Sequence, residues 1–294
     1  MTRRDQAESL RRIAGGRLVG LDPPRDRMVA ISGGKGGIGK STIAVNLAVS
    51  YAQRGARSLA LDGDFGMADL NLLLGVAPGR NLLDVLDGGN IEDSLVEAHG
   101  IHLLPALNGS RRLANLSAAE RARLFGKIDT LRSVFDTVII DTASGVADIA
   151  MELAASATDI VAVATPEPLS LADAYACLKI LSRHHQVSRV MVLPNMVRSP
   201  SEGDEVIARL ASLVERFLGV TLVPLPAIPF DPAVAEASAA GVPLLEMTPD
   251  CPAARAIARV ARRIDALSAE RPRIDKEPLR LVRAARMSDG QEVS

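Results

Sequence analysis

The residues best suited to chemistry in this 294-residue chain lie in one glycine-rich run, residues 34–41. The run has the spacing G-x-x-x-x-G-K-[ST], follows the apolar run Met28–Ile31 and precedes a helical pattern over Lys40–Arg54. Glycines at this spacing let backbone N–H groups surround phosphate oxygens, and the start of a helix adds positive potential. The sequence therefore predicts a nucleotide-phosphate site in which Lys40 reaches the β- and γ-phosphates and Ser41 binds Mg²⁺. The residues expected to contact the nucleotide are Gly34, Gly36, Gly37, Ile38, Gly39, Lys40, Ser41 and Thr42.

Three aspartates follow apolar runs that have the character of buried strands. Asp62 and Asp64 come directly after one such run, and Asp141 ends another, Val138–Ile140. Because ligands bind at the carboxyl ends of the strands in open α/β sheets, these side chains are expected beside the phosphate loop. Any one of them has an even chance of being a cap or turn residue. Three at one edge are better explained by a bound Mg²⁺–nucleotide complex.

A second lysine, Lys35, lies inside the loop, and with it the run Gly34–Thr42 resembles the deviant Walker A loop of the MinD/ParA ATPases. The resemblance implies that Lys35 crosses a nucleotide-sandwich homodimer to the partner's phosphates, as an arginine finger does elsewhere. It also implies that Asp64 positions the attacking water and that Asp62 hydrogen-bonds the Mg²⁺ shell. The residues implied in catalysis are Lys35, Lys40 and Asp64, and those implied at the metal are Ser41, Asp62 and Asp141.

The segment that follows Asp64 resembles the switch I of that family but departs from it at two positions. The family has Asn-x-Asp where this chain has Asp69-Leu70-Asn71. The exchange leaves Asp69 and Asn71 without assigned roles. Gly145 resembles the glycine that lets switch II approach the γ-phosphate.

The choice of base depends on two later segments. Asn195, at the end of a late apolar run, resembles the family's adenine-contacting asparagine. The run Ile228–Asp231 is where the family places its base-binding loop, which implies contacts from Pro229 and Asp231. The sequence contains no Asn-Lys-x-Asp, the usual guanine-reading motif. ATP and Mg²⁺ are therefore the expected cofactors.

Three segments resemble the FlhG/FleN flagellar-number regulators: residues 5–11, residues 165–175, and residues 217–220 together with 226–231. The implied function is an ATP-dependent dimerising switch that controls flagellar number and placement. The implied partners are an FlhF-type GTPase, flagellar C-ring proteins and a flagellar transcription activator. Without the resemblance, residues 5–12 are simply a capped amphipathic helix; with it, Gln6 orients the attacking water of the GTPase. The residues implied in that contact are Asp5, Gln6, Ala7, Leu10 and Arg11.

The order of the elements sets the expected fold. Apolar runs alternate with helical patterns, which predicts a doubly wound α/β fold, a mostly parallel sheet of about seven to eight strands in a single P-loop NTPase domain. Length alone would favour two domains. The expected divisions are a partner-activating segment and linker (1–27), the ATPase domain (28–267) and a flexible basic tail (268–294). The predicted strands are 28–31, 58–61, 101–104, 137–140, 159–164, 189–193 and 221–226, and the predicted helices include 40–54, 118–132, 170–184 and 204–217.

Composition excludes several classes of protein. Aromatic residues make up 2% of the chain and Trp is absent, which argues against stacking platforms for single-stranded nucleic acid. The formal net charge of -1 predicts no bulk affinity for DNA, so no specific nucleic acid is expected as a partner. Two distant cysteines make neither a disulfide framework nor a zinc site. With no secretory signal and no spanning segment, the cytoplasm is the expected compartment.

Several alternatives stay open. The stretch 279–287 is basic but has little apolar bulk, which fits either a solvated tail or weak, ATP-dependent contact with the inner face of the cell membrane. A MinD-like division-site regulator and a ParA-like partition protein are rival functions, and the arginine-rich helical segment Arg255–Arg263 supports the second. A metal-cluster carrier would need a matched cysteine pair. A module that binds nucleotide without hydrolysing it is the remaining alternative.

Overall fold

The computed structural model describes residues 27–269, apart from the side chain of Ala114. The partner motif at residues 5–11 and the tail from residue 270 lie outside the described residues. Eight strands form one sheet in the order β3-β4-β2-β5-β1-β6-β7-β8, and all neighbours run parallel except β3 and β4. The strands are β1 (Arg27–Ser32), β2 (Ser58–Gly63), β3 (Val96–Ala98), β4 (Ile101–Leu104), β5 (Thr137–Thr142), β6 (Asp159–Ala164), β7 (Arg189–Pro194) and β8 (Thr221–Pro224).

Helices cover both faces of the sheet, and a 3₁₀ turn lies at Glu92–Ser94. Several helices start where the sequence supplies a cap: Ser117 and Glu120 form a capping box at one, and Ser199 caps another that begins with Pro200. Within residues 27–269, no helix is both long and apolar enough to cross a membrane. The helices are α1 (Lys40–Ala52), α2 (Leu70–Leu73), α3 (Leu82–Leu86), α4 (Arg111–Ala114), α5 (Ala118–Arg132), α6 (Asp148–Ala155), α7 (Pro168–His185), α8 (Pro200–Phe217), α9 (Ala233–Ala240), α10 (Leu244–Met247) and α11 (Pro252–Ala269).

The two faces of the sheet carry separate hydrophobic layers. Successive strand residues point to opposite faces, so Met28 and Ala30 enter one layer while Val29 and Ile31 enter the other. The central strands β1, β2, β5 and β6 are buried along their whole length. Burial on both faces is why these strands are continuous apolar runs.

The expected fold class is confirmed, and all seven predicted strands are present. The eighth strand, β3, was not predicted because it is three residues long, partly exposed and lies at the sheet edge. It pairs with β4 through a tight turn in which His99 (φ 52°) and Gly100 (φ 70°) both take the left-handed conformation. Helices α7 and α8 start earlier than predicted, since each begins at a proline, the residue suited to a first helical position.

Candidate nucleotide site

The phosphate loop joins β1 to α1 at the carboxyl edge of the sheet. Helix α1 begins at Lys40 immediately after Gly39, whose φ of 87° is in the left-handed region. No side chain within residues 27–269 caps this helix, so its first backbone N–H groups are available to an anion. Gly34 is required by packing, because a Cβ atom there would lie 2.4 Å from the backbone oxygen of Asp173 in α7. The loop therefore has the geometry of a phosphate cradle.

Asn195 supports this loop from the end of β7. Its side-chain Nδ2 donates to the carbonyl oxygen of Ile38 at 2.8 Å, and its backbone N–H donates to Ala164 at 2.8 Å. Within the described residues, no hydrogen bond reaches its Oδ1. The structure thus brings Asn195 to the phosphate loop, with an acceptor oxygen left over.

Pro229 and Asp231, the residues expected in the base-binding loop, each contact a different part of the chain. Pro229 pairs with Val197 in an isolated parallel bridge. The carboxylate of Asp231 accepts from the backbone N–H of Ala233 and of Ala253, at 3.1 Å each. These two bonds tie Asp231 to the starts of α9 and α11, and the same bonds keep its pKa below the ordinary value. Both carboxylate oxygens of Asp231 are therefore used in binding the N-termini of α9 and α11.

Asp141 lies at the centre of the site. It is 1% exposed, and neither carboxylate oxygen has a hydrogen-bond partner among the described residues. Burial raises its pKa to about 7, opposed by the nearby Ser41 hydroxyl and the Lys40 ammonium group. A buried carboxylate without a partner is costly, so its environment fits a cation that completes it.

Asp62 is the register partner of Asp141 on the neighbouring strand, but its oxygens are already in use. One accepts from the backbone N–H of Asp64 and the other from that of Leu70, both at 3.2 Å. Burial raises the pKa of Asp62 well above its usual range, and the charge of Asp141 adds to the effect. Its first task is therefore to hold the chain that follows β2.

Asp64 organises the next turn. One carboxylate oxygen accepts from the backbone N–H groups of Gly66 (3.1 Å) and Met67 (2.9 Å). Asp64 is only partly buried, and it is close enough to Asp141 to raise the pKa of that group. It thus lies at the mouth of the site.

The two lysines of the loop have distinct surroundings. Lys40 is 7% exposed, and its Nζ donates to the carbonyl oxygen of Lys35 at 3.3 Å, across the loop. Lys35 instead forms an ion pair with Glu167, the residue just before α7. Lys40 is therefore an internal element of the site, whereas Lys35 is at its rim.

The residues present fit a magnesium–nucleotide complex. Mg²⁺ is usually held by one or two carboxylates, waters and substrate phosphates. Asp141 supplies two unpartnered oxygens, and the hydroxyl of Ser41 is near them. No group of three or more His, Cys, Asp or Glu side chains within residues 27–269 is arranged to hold a metal by itself, which agrees with an ion that shares phosphate oxygens. When bound, Mg²⁺ would neutralise charge on the phosphates.

A phosphate loop between β1 and α1, together with carboxylates at the ends of β2 and β5, defines a P-loop nucleotide-binding domain. Residues 29–244 match the CobQ/CobB/MinD/ParA nucleotide binding domain. The chain belongs to this family, and within it to the MinD/ParA ATPases, in the group of the FleN/FlhG flagellar regulators.

Two curated relatives support that placement. The chain is 36% identical to the antiactivator FleN of Pseudomonas aeruginosa over 81% of its own length and 86% of FleN. It is 33% identical to the flagellum site-determining protein YlxH of Helicobacter pylori, over 66% of this chain and 68% of that one.

Two solved structures show the same fold. The cell division ATPase MinD of Pyrococcus furiosus superposes with a TM-score of 0.68 at 27% identity, covering 82% of this chain and 99% of that one. MinD of Pyrococcus horikoshii, solved in complex with Mg-ADP, superposes with a TM-score of 0.67 at 25% identity, covering 84% and 99%. The expected family and the expected class of enzyme, an ATPase, are confirmed.

Two residues of the site received no role from the sequence. Glu167 pairs with Lys35, and the signal for it was its place directly after β6, at the same edge as the phosphate loop. Asp69 lies near Ser41 and Lys40, and the signal for it was its departure from the family pattern.

Proposed function

We propose that this chain is an Mg²⁺-dependent ATPase that dimerises around ATP and thereby regulates flagellar number and placement. The observation that carries the proposal is the presence of two lysines with different surroundings in one phosphate loop, beside the unpartnered Asp141. Lys40 is buried within its own phosphate loop, so it can bind the phosphates of the nucleotide in the same chain. Lys35 is 35% exposed and pairs with the exposed carboxylate of Glu167, a weak bond that it can exchange for the phosphates of a second chain.

Each residue of the site has a part in the proposed hydrolysis. Lys40 and the N–H groups at the start of α1 bind the phosphates, and Ser41 and Asp141 hold the ion. Asp64, at the mouth of the site, orients the attacking water, and Lys35 of the partner chain offsets the charge that develops on the phosphoryl group. Asp62 keeps the turn after β2 in place through its two backbone hydrogen bonds.

The base is proposed to be adenine, read by Asn195. Nδ2 of Asn195 donates one of its two hydrogens to Ile38, and Oδ1 is left to accept from the base. An acceptor suits the exocyclic amino group of adenine and rejects the carbonyl oxygen of guanine. Pro229 contributes packing, and Asp231 acts on that loop through the backbone N–H groups that it holds.

The test is the dependence of ATP hydrolysis on protein concentration. Phosphate release per chain should rise with concentration in parallel with ATP-dependent dimer formation, measured by light scattering. Lys35→Ala should abolish turnover while the affinity for ATP is kept, and Lys40→Ala should abolish both. A specific rate that is the same at every concentration would contradict the role of the second lysine.

The N-terminal motif is proposed to activate an FlhF-type GTPase, with Asp5, Gln6, Ala7, Leu10 and Arg11 as the contact. A positioned glutamine can orient an attacking water at a phosphate, which is the basis for choosing Gln6. A peptide of residues 1–20 should accelerate GTP hydrolysis by FlhF, and the Gln6→Ala peptide should not. Equal activity of the two peptides would refute this part of the proposal.

Further partners and the location follow from the same proposal. Flagellar C-ring proteins and a flagellar transcription activator would bind the ATP-dependent dimer in the cytoplasm. Contact of the basic tail with the inner face of the membrane is tested by sedimentation of the full chain with anionic liposomes. Pelleting that requires ATP would establish the contact, and its absence would leave the tail in solution.

A ParA-like partition function is the second candidate, and one observation favours it. Four arginines at helical spacing lie on the exposed face of α11: Arg255, Arg259, Arg262 and Arg263. If this face binds DNA phosphates, retention on DNA should fall steeply with salt. Retention that is absent at low salt would exclude the candidate.

A further inference from the structure

The carboxylate of Asp69 lies beside the Ser41 hydroxyl rather than at the backbone of the helix that follows it. It occupies the N-cap position of the short helix α2, yet it makes no side-chain cap hydrogen bond. Its Oδ1 is buried and has no hydrogen-bond partner among the described residues. A polar atom in this state calls for an explanation other than packing.

The chain on both sides of Asp69 is fixed. The next residue, Leu70, is fully buried, and its backbone N–H donates to Asp62. The turn that begins at Asp64 is closed by the bonds of that carboxylate to Gly66 and Met67. Asp69 is therefore held in place by its neighbours rather than by its own side chain.

The groups around Asp69 are those of the nucleotide site. The Ser41 hydroxyl and the Lys40 ammonium group are near enough to oppose the effect of its partial burial on its pKa. Asp69 and Asp64 in turn are near enough to act on Asp141, which is fully buried and unpartnered. Two carboxylates, those of Asp69 and Asp141, thus lie near Ser41, and Lys40 is the cation that acts on both.

Such an arrangement repels a nucleotide that arrives without a cation. Free ATP is a polyanion, and a carboxylate close to its phosphates opposes binding, whereas the same carboxylate attracts Mg²⁺. We propose that Asp69 makes this site selective for the magnesium complex of the nucleotide over the free nucleotide, acting as an additional anionic group beside Ser41. The inference rests on the proposed nucleotide-binding function.

Asparagine is the suitable replacement at this position. It has the shape of aspartate and is an equally good residue at a helix N-cap, so Asp69→Asn removes the charge and leaves any capping role unchanged. Asp69→Ser removes the charge by a second route, with a residue that also caps well. Asp204→Asn, on the exposed surface of α8, is the matched control.

The experiment measures the affinity for a fluorescent ATP analogue in excess Mg²⁺ and in EDTA. In the wild type we expect the affinity in Mg²⁺ to exceed that in EDTA by a large factor. Asp69→Asn and Asp69→Ser should each reduce this ratio by about tenfold, chiefly through tighter binding in EDTA, as loss of one like charge near the phosphates predicts. The control should keep the wild-type ratio.

The outcomes separate the two proposals. If the wild type binds the analogue in Mg²⁺ and the variants keep its ratio, the inference about Asp69 is wrong and the nucleotide site stands. If the wild type does not bind nucleotide under either condition, the proposed function fails. Thermal unfolding of each variant without nucleotide identifies a folding defect. If one of the two Asp69 variants is defective, the affinity ratio of the other tests the inference.

Discussion

Lys35 and Glu167 form an ion pair within one chain, across the rim of the phosphate loop. Glu167 precedes the first turn of α7 but does not cap it, so its carboxylate is free for the lysine. Both side chains are accessible, and exposed ion pairs contribute little to stability. The pair is therefore easily broken, and Lys35 must leave Glu167 before it can serve a second chain.

Glu167→Gln should increase hydrolysis at low protein concentration by severalfold, because Lys35 is no longer neutralised in its own chain. ATP-dependent dimers should also form at a lower concentration. The rate of phosphate release across a dilution series measures this. Glu215→Gln, an exposed position on α8, is the control, and equal dilution curves for wild type and Glu167→Gln would contradict the prediction.

Asp64→Asn should slow turnover strongly and leave an ATP-bound dimer. The amide keeps an oxygen that can accept from Gly66 and Met67, so the turn is preserved while the ability to activate water is lost. Asp64→Ala should give the same trapped dimer with a looser turn. Light scattering with ATP, together with phosphate release, tests both, and wild-type turnover in either variant would exclude the assigned role.

Asp141→Asn should stabilise the nucleotide-free protein. The pKa of Asp141 rises from 3.8 to about 7 on folding, so the folded state holds the proton more tightly. Its contribution to stability therefore falls as the pH rises through this window, and the full penalty is present above about pH 7. The gain in unfolding midpoint, about 2–4 °C for each 1 kcal/mol, should be larger at pH 8 than at pH 5. An equal gain at both values would show that burial of the charge is not the cause.

Cys177 should resist thiol reagents in the folded protein. It is 2% exposed, burial raises its pKa to about 11, and its thiol donates to the carbonyl oxygen of Gly145 at 3.4 Å. At pH 8 only about one molecule in a thousand is the reactive thiolate. Cys251, which is partly exposed, should react first. Counting modified thiols with and without denaturant checks this, and two fast thiols in the native state would refute it.

Asn195→Ala should reduce the preference for ATP over GTP and also weaken both nucleotides, because the bond to Ile38 is lost with the acceptor. Titrations in which ATP and GTP each compete with a fluorescent nucleotide measure the preference and the overall affinity separately. Loss of affinity with an unchanged preference would show that Asn195 supports the loop and does not read the base.

The parts of the fold that were predictable are those that local physics determines. The central strands are buried on both faces and therefore appear as apolar runs, and the phosphate loop needs glycine where φ is positive, as at Gly39. The strand β3 was missed, since three partly exposed residues leave no pattern.

The side-chain pairings within the site could not be predicted in the same way. The partner of Lys35 is 132 positions away, and the strand order that brings Glu167 close is a property of the whole sheet. The oxygens of Asp62 could equally have served the metal directly. Only the path of the chain at Leu70 determines that they hold the backbone instead.

The support that Asn195 and Asp173 give to the phosphate loop has an entropic consequence. The carbonyl oxygen of Ile38 is tied to β7, and Gly34 lies against the backbone of α7, so the loop has little freedom to lose when phosphate enters. Ordering a mobile loop would reduce affinity, and a loop already in its bound shape avoids that loss. We therefore expect the affinity for phosphate to come mainly from this supported part of the loop, so that exchange of the Lys35–Glu167 ion pair in the proposed dimer would cost little nucleotide affinity.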